Sequence, residues 1–206
     1  MNKRYWYMKI TIIFLLLVLF FMFLFTIFDN NWLWSFFIFV MIFIAFIPTL
    51  LRIYFKISLP FLFDVFICLA FIFHIDFSLY NILSFIPVYN KFTHFFSAIV
   101  VAFIFLILLF VFNEYYRGIA VNTFKILFDV VVITMAFGVV WEFMEWVGDY
   151  LFNLNAQPSI SDTMGDLFAD TLGGLFIACI GYFLIKKDIL RRFSKDFKKH
   201  FNELID

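Results

Sequence analysis

The chain has 206 residues, with 15 Lys+Arg, 15 Asp+Glu and a formal net charge of zero. It is 66% hydrophobic and 15% charged, where a soluble domain carries about a quarter charged residues. A water-soluble globule and a disordered chain are therefore excluded, and the absence of a basic excess excludes a nucleic-acid-binding protein. What remains is a polytopic membrane protein. The 37 phenylalanines read as lipid-facing bulk. Cys68 and Cys179 lie inside apolar runs, where free Cys behaves as a small hydrophobe.

A bilayer core about 30 Å thick needs roughly 20 apolar residues per helix. Six stretches meet that need. The first runs from Ile10 to Phe28, after Lys3, Arg4 and Lys9. Its apolar run is too long for a signal-peptide core and no A-x-A-like site follows, so an uncleaved helix is expected. The second runs from Trp32 to Leu51, the third from Leu59 to Tyr80 and the fourth from Phe92 to Phe112. The fifth runs from Thr123 to about Tyr150, long enough to tilt or to emerge from the bilayer. The sixth runs from about Asp162 to Ile185. β-Barrel strands alternate polar and apolar residues, and these runs do not. The expected fold is all-α: an integral membrane bundle of six transmembrane helices over residues 1–185. Residues 186–206 form a basic tail.

Lys and Arg in short loops set the orientation. With six spans, 14 of the 15 basic residues fall on one side and Lys91 alone on the other. Both termini are therefore expected in the cytoplasm. In the tail, Ile189, Phe193, Phe197, Phe201 and Leu204 share a helical stripe, with Lys and Arg around much of the rest. This pattern suits an interfacial helix on anionic inner-leaflet lipids. The plainer reading is a basic anchor that only fixes topology.

Ionisable residues inside spans cost at least about 2.5–3.5 kcal/mol at a helix centre, so they point to function. Span four opens with Asn90, Lys91 and His94, and Asn90, His94 and Ser97 share a face. Span five ends with Glu142, Glu145 and Asp149, within an arc of about 60°. Span six begins with Asp162, Asp166 and Asp170, stacked at intervals of four, with Gly173 continuing the stripe for close helix approach. Topology brings all of these to the outer half of the membrane. His74 on span three offers a second imidazole; Asp76 points about 200° away from it on an ordinary helix. Asp64 and Asp129 fall near the cytoplasmic ends, where Lys125 is placed to pair Asp129 at i, i+4. No phosphate-binding Gly-rich loop, H-E-x-x-H helix or G-x-S-x-G elbow occurs.

In the outer half, six carboxylates face one Lys and one His. Like charges in a low-dielectric site cannot all ionise. Either several acids hold protons, or a cation balances them. A set of carboxylates with one imidazole suits Mg²⁺, Mn²⁺, Fe²⁺ or Zn²⁺, and an oxygen-only subset suits Ca²⁺ or Mg²⁺. The expected metal ligands are drawn from His94, Glu142, Glu145, Asp162, Asp166 and Asp170. Asn90, Lys91, Ser97, Asp149 and His74 are expected to complete the polar lining.

These polar residues carry a resemblance. Tyr89-x-Lys91-x-x-His94-Phe95, Gly138-x-x-Trp141-Glu142-x-x-Glu145 and Asp162-Thr163-x-x-Asp166 resemble the bacterial inner-membrane family typified by YjdF. More distantly, Lys91-x-x-His94-Phe95 and Asp166-x-x-x-Asp170-Thr171-Leu172-Gly173 resemble VanZ-like membrane proteins. The resemblance covers roughly residues 60–185. Both groups often have Asp before the Lys, where this chain has Asn90. The resemblance implies a multi-pass helical fold in a bacterial inner membrane and leaves the activity open.

Three functions are expected, in this order. The first is a metal-dependent hydrolase or transferase acting on a lipid or envelope substrate, with Glu142 and Asp170 as the carboxylates for proton transfer. The second is a proton- or cation-coupled transporter or channel, using the acids as relays. The third is a non-catalytic scaffold whose polar cluster fixes helix packing.

Overall fold

With no water available to their backbones, long apolar runs must satisfy every N–H and C=O within a helix. The computed structural model describes residues 3–54, 61–75, 88–115, 122–153 and 156–205, and among these no strand occurs. The helices are α1 (Lys3–Phe28), α2 (Trp32–Tyr54), α3 (Phe61–Ile75), α4 (Tyr89–Tyr115), α5 (Thr123–Phe152), α6 (Ile160–Lys186) and α7 (Ile189–Ile205). Among the described residues, four apolar stretches are long enough to cross a membrane: Trp34–Ile53, Tyr89–Glu114, Thr123–Leu151 and Ile160–Lys186. Ile12–Phe28 and Phe63–Ile75 are shorter. Both ends of the third expected span lie outside the described residues, as do Lys56, Asp76 and Arg117.

The turns are made by polar residues with specific tasks. Between α1 and α2, Asn30 takes the left-handed conformation and the Ser35 hydroxyl donates to Thr26 Oγ1 at 3.0 Å. Asn122 opens α5 by accepting from the Phe124 N–H, and Ser159 opens α6 by accepting from the Asp162 N–H. Left-handed Asn153 ends α5, its N–H returning to the Asp149 carbonyl. Between α2 and α3, Arg52 grips fully buried Asp64 through two parallel bonds, Nη1–Oδ1 at 2.7 Å and Nη2–Oδ2 at 2.5 Å. Lys125 pairs with Asp129 at 2.6 Å, as the i, i+4 spacing predicts.

Packing follows from residue size. Helix α4 is central and touches α3, α5, α6 and α7, while α1, α2 and α3 pack among themselves. Helices α4 and α6 run parallel, since Asn90 meets Asp166, His94 meets Asp170 and Leu106 meets Gly181. Helix α5 runs against α6, since Gly138 meets Asp170 and Leu127 meets Gly181. The start of α4, the end of α5 and the start of α6 therefore lie at one end of the bundle. Ile99, Ala102, Phe103, Leu106, Val130 and Ile177 are fully buried between these helices. Outward positions carry large apolar side chains such as Phe21, Phe112 and Phe143, each more than 60% exposed. Such a surface calls for lipid around it.

The tail folds back onto the bundle. Leu190, Phe193 and Ser194 are buried, α7 packs on α4 and α6, and Arg191 Nε lies 3.8 Å from Glu114. Phe193 belongs to the expected apolar stripe, and Leu190, about 100° from Ile189, falls within the same arc. The stripe's face is thus partly used against protein. The side chains of Phe201 and Leu204 lie outside the described residues.

Helix α6 meets α4 at Gly173, where a Cβ would stand 2.8 Å from the Phe95 carbonyl oxygen and 2.7 Å from the Ala98 Cβ. The obstacle is backbone, so it cannot rotate away. Gly173→Val is expected to push α4 and α6 apart and cost about 1–3 kcal/mol. A lowered thermal midpoint in detergent, with Cys179→Ser as an exposed-site control, checks this.

Candidate metal centre

The acids at the α4–α6 end separate into two groups, and the residue that divides them is Lys91. Its ammonium lies 2.5 Å from Asp162 Oδ1 and 2.9 Å from Asp166 Oδ1, and it also donates to the Asp162 carbonyl at 3.1 Å. Gly165 makes room for it, because a Cβ there would stand 2.8 Å from Lys91 Cε. Asn90 Nδ2 donates to both oxygens of Asp166, at 3.3 and 3.2 Å. An aspartate at position 90 would instead face Asp166 with a like charge, whereas Asn90 and Lys91 both present donors to its carboxyl group.

The second group centres on His94, which is buried. Its Nδ1 lies 3.4 Å from Asp170 Oδ2; its Nε2 lies 3.8 Å from Asp166 Oδ1 and 3.9 Å from Glu145 Oε1. Gly138 on α5 leaves the space that the Asp170 carboxylate fills. His94, Glu142 and Glu145 each offer a ligand atom within 4.8 Å of the others. Each glutamate has one oxygen held by protein. Trp141 Nε1 donates to Glu145 Oε1 at 2.8 Å, and Gln157 Nε2 donates to Glu142 Oε2 at 2.7 Å and to the Glu142 carbonyl at 3.0 Å. Glu142 Oε1 is buried and has no hydrogen-bond partner, the one such side-chain atom among the described residues. A buried carboxylate oxygen left in that state is costly unless something supplies positive charge.

Of the six expected ligands, His94, Glu142 and Glu145 are brought within one shell. Asp170 stands behind His94, and Asp162 and Asp166 are taken up by Lys91. Asp149, expected in the lining, is spent on the α5–α6 turn: its oxygens accept from the Ala156 and Gln157 N–H groups at 2.6 and 2.8 Å. The chain reverses after Asn153, which carries those N–H groups back over Asp149. Asn90, Ser97 and His74 line a cavity of about 370 Å³ beside the group, together with His94, Glu145 and Asp170. The His74 ring meets Trp141 edge-on at 5.9 Å. Gln157 was not expected. It is the only glutamine of the chain and sits in a loop after an acidic helix end, a weak signal that spacing rules do not reach.

Apolar helices of spanning length, a lipid-type surface and polar residues gathered at one end define a multi-pass helical membrane protein. The chain belongs to the family described as predicted membrane protein (DUF2238), whose model matches residues 9–187. No curated protein and no solved structure matches it.

Removing Lys91 would leave Asp162 and buried Asp166 without their cation. Breaking a buried pair costs about 3–5 kcal/mol, and the partial exposure of Lys91 places Lys91→Met toward the lower end of that range. The thermal midpoint in detergent should fall accordingly. Lys91→Met combined with Asp166→Asn should recover part of the loss.

Proposed function

We propose that the chain is a bacterial inner-membrane protein with six spans and both termini in the cytoplasm. In this reading His94, Glu142 and Glu145 hold one divalent cation. The observation that carries it is the buried, unpartnered Glu142 Oε1 beside an imidazole and a second carboxylate. A divalent cation balances the two glutamates and supplies the partner that Glu142 Oε1 lacks. The carboxylate–imidazole donor set fits Mg²⁺, Mn²⁺, Fe²⁺ or Zn²⁺. Asp170 then acts as an outer partner: it accepts from Nδ1–H of His94, which leaves Nε2 as the ligand atom facing Glu145. The YjdF-type and VanZ-like resemblance supports the same residues, since its motifs contain Lys91, His94, Glu142, Glu145, Asp166 and Asp170.

The reaction we propose is hydrolysis or group transfer on a lipid or envelope substrate. A bound cation there would polarise a phosphoryl or carbonyl oxygen. The cavity beside His94 gives the reacting group a place to stand. The transporter reading finds less support, because Asp64, Asp129 and Glu114 at the other end face Arg52, Lys125 and Arg191.

Two measurements test the proposal. Elemental analysis of detergent-purified protein is expected to find about one divalent metal per chain, the stoichiometry of a three-ligand site. Glu142→Gln should lose it. A protein without metal, or a variant that keeps it, overturns the metal centre. For topology, alkaline phosphatase fused after residue 206 should be inactive and fused within 81–87 should be active. The opposite pattern overturns the orientation drawn from the Lys and Arg distribution.

A further inference from the structure

The cavity next to the candidate metal centre has a polar end and an apolar end. At the polar end stand Asn90, His94 and Glu145; further along α4 and α5, toward the middle of the bundle, stand Ala98, Val101 and Phe137. From His94 to Val101 the rise is about 10 Å. Among the described residues, one side of the cavity has no backbone wall. Helices α3 and α5 flank it without packing on each other among the described residues, and His74 and Trp141 bridge them edge to face. Trp141 and Phe137, which form the α5 lip of this gap, are both exposed.

Charge narrows the occupant. Even with a divalent cation balancing Glu142 and Glu145, three carboxyl groups, Asp162, Asp166 and Asp170, share one Lys and the His94 ring. Lys91 is also directed at Asp162 and Asp166, away from Asp170 and Glu145, which line the cavity. Carboxyl groups thus outnumber cationic side chains at the polar end. A phosphodiester headgroup that also bears an ammonium would meet a carboxylate partner there, while one without it would not. A polar-to-apolar gradient at headgroup depth fits an amphiphile lying along α4.

We propose that this cavity binds the headgroup of an amine-bearing phospholipid of the phosphatidylethanolamine class, which enters sideways between α3 and α5 past His74 and Trp141. The inference deepens the metal-centre reading, since it takes that site as the polar end of the cavity and names its substrate class.

The test uses the full-length protein, delipidated in detergent and then offered phosphatidylethanolamine, phosphatidylglycerol or soluble phosphoethanolamine. Native mass spectrometry reads lipid binding, and elemental analysis of the same samples reads metal. Phosphatidylethanolamine is expected to bind about tenfold more tightly than phosphatidylglycerol, the difference of one modest charge contact. Soluble phosphoethanolamine should compete poorly, because it lacks the tail that the apolar end takes. Val101→Phe, which fills the apolar end away from His94, should lower lipid binding and leave the metal content unchanged. Equal or stronger binding of phosphatidylglycerol overturns the proposal. So does full competition by soluble phosphoethanolamine, or a Val101→Phe variant that binds as the wild type does. Metal without lipid selectivity would sink the lipid reading alone; selectivity without metal would sink the metal centre alone.

Discussion

The distance between α4 and α6 governs the rest of the molecule. It is set where Gly173 lies against the backbone of Phe95 and Ile99, a contact that admits no side chain. In lipid there is no hydrophobic drive between apolar helices, so close approach and polar contacts must hold them. Here the two work together. The glycine contact brings α6 near enough for Asp170 to reach His94 and for Asp166 to reach Lys91 and Asn90. Gly138 and Gly174 do the same on the α5 side, so three helices converge at one level.

That convergence gathers more negative charge than the protein neutralises. Lys91 compensates part of it and splits the acids into two sets. One set is an ion-pair network in which every carboxylate has a donor. The other, around His94, retains a carboxylate oxygen with none. The same difference separates an acid cluster that fastens helices from one that would take a ligand. Trp141 and Gln157 support the second reading physically, because each holds one glutamate oxygen and so fixes the carboxyl group beside His94.

Much of this was legible in the chain. The apolar runs, their interruption by polar turns and the stacking of Asp162, Asp166 and Asp170 follow from the helical period and from composition. So does the arrival of His94, Glu142 and Glu145 at one end, because consecutive helices alternate direction. What spacing could not give was the division of labour among the acids. Asp149 shares an arc with Glu142 and Glu145, yet serves a turn whose N–H groups return from seven and eight residues further on. Leu190 and Phe193 on the tail's apolar face are buried because α7 docks against α4 and α6, a partner that the stripe alone, which suits a lipid surface equally well, could not name.

The sequence by itself determined that this protein is helical and membrane-embedded, and at which end of the bundle its polar residues would gather. Hydropathy and the 3.6-residue period are local properties, and both are written along the chain. Only the tertiary structure decided which acid has a cation, which orients an imidazole and which is left with a bare oxygen. It also placed a cavity beside them. Those outcomes depend on a few ångströms between helices, and that distance is fixed by glycine contacts between residues far apart in sequence.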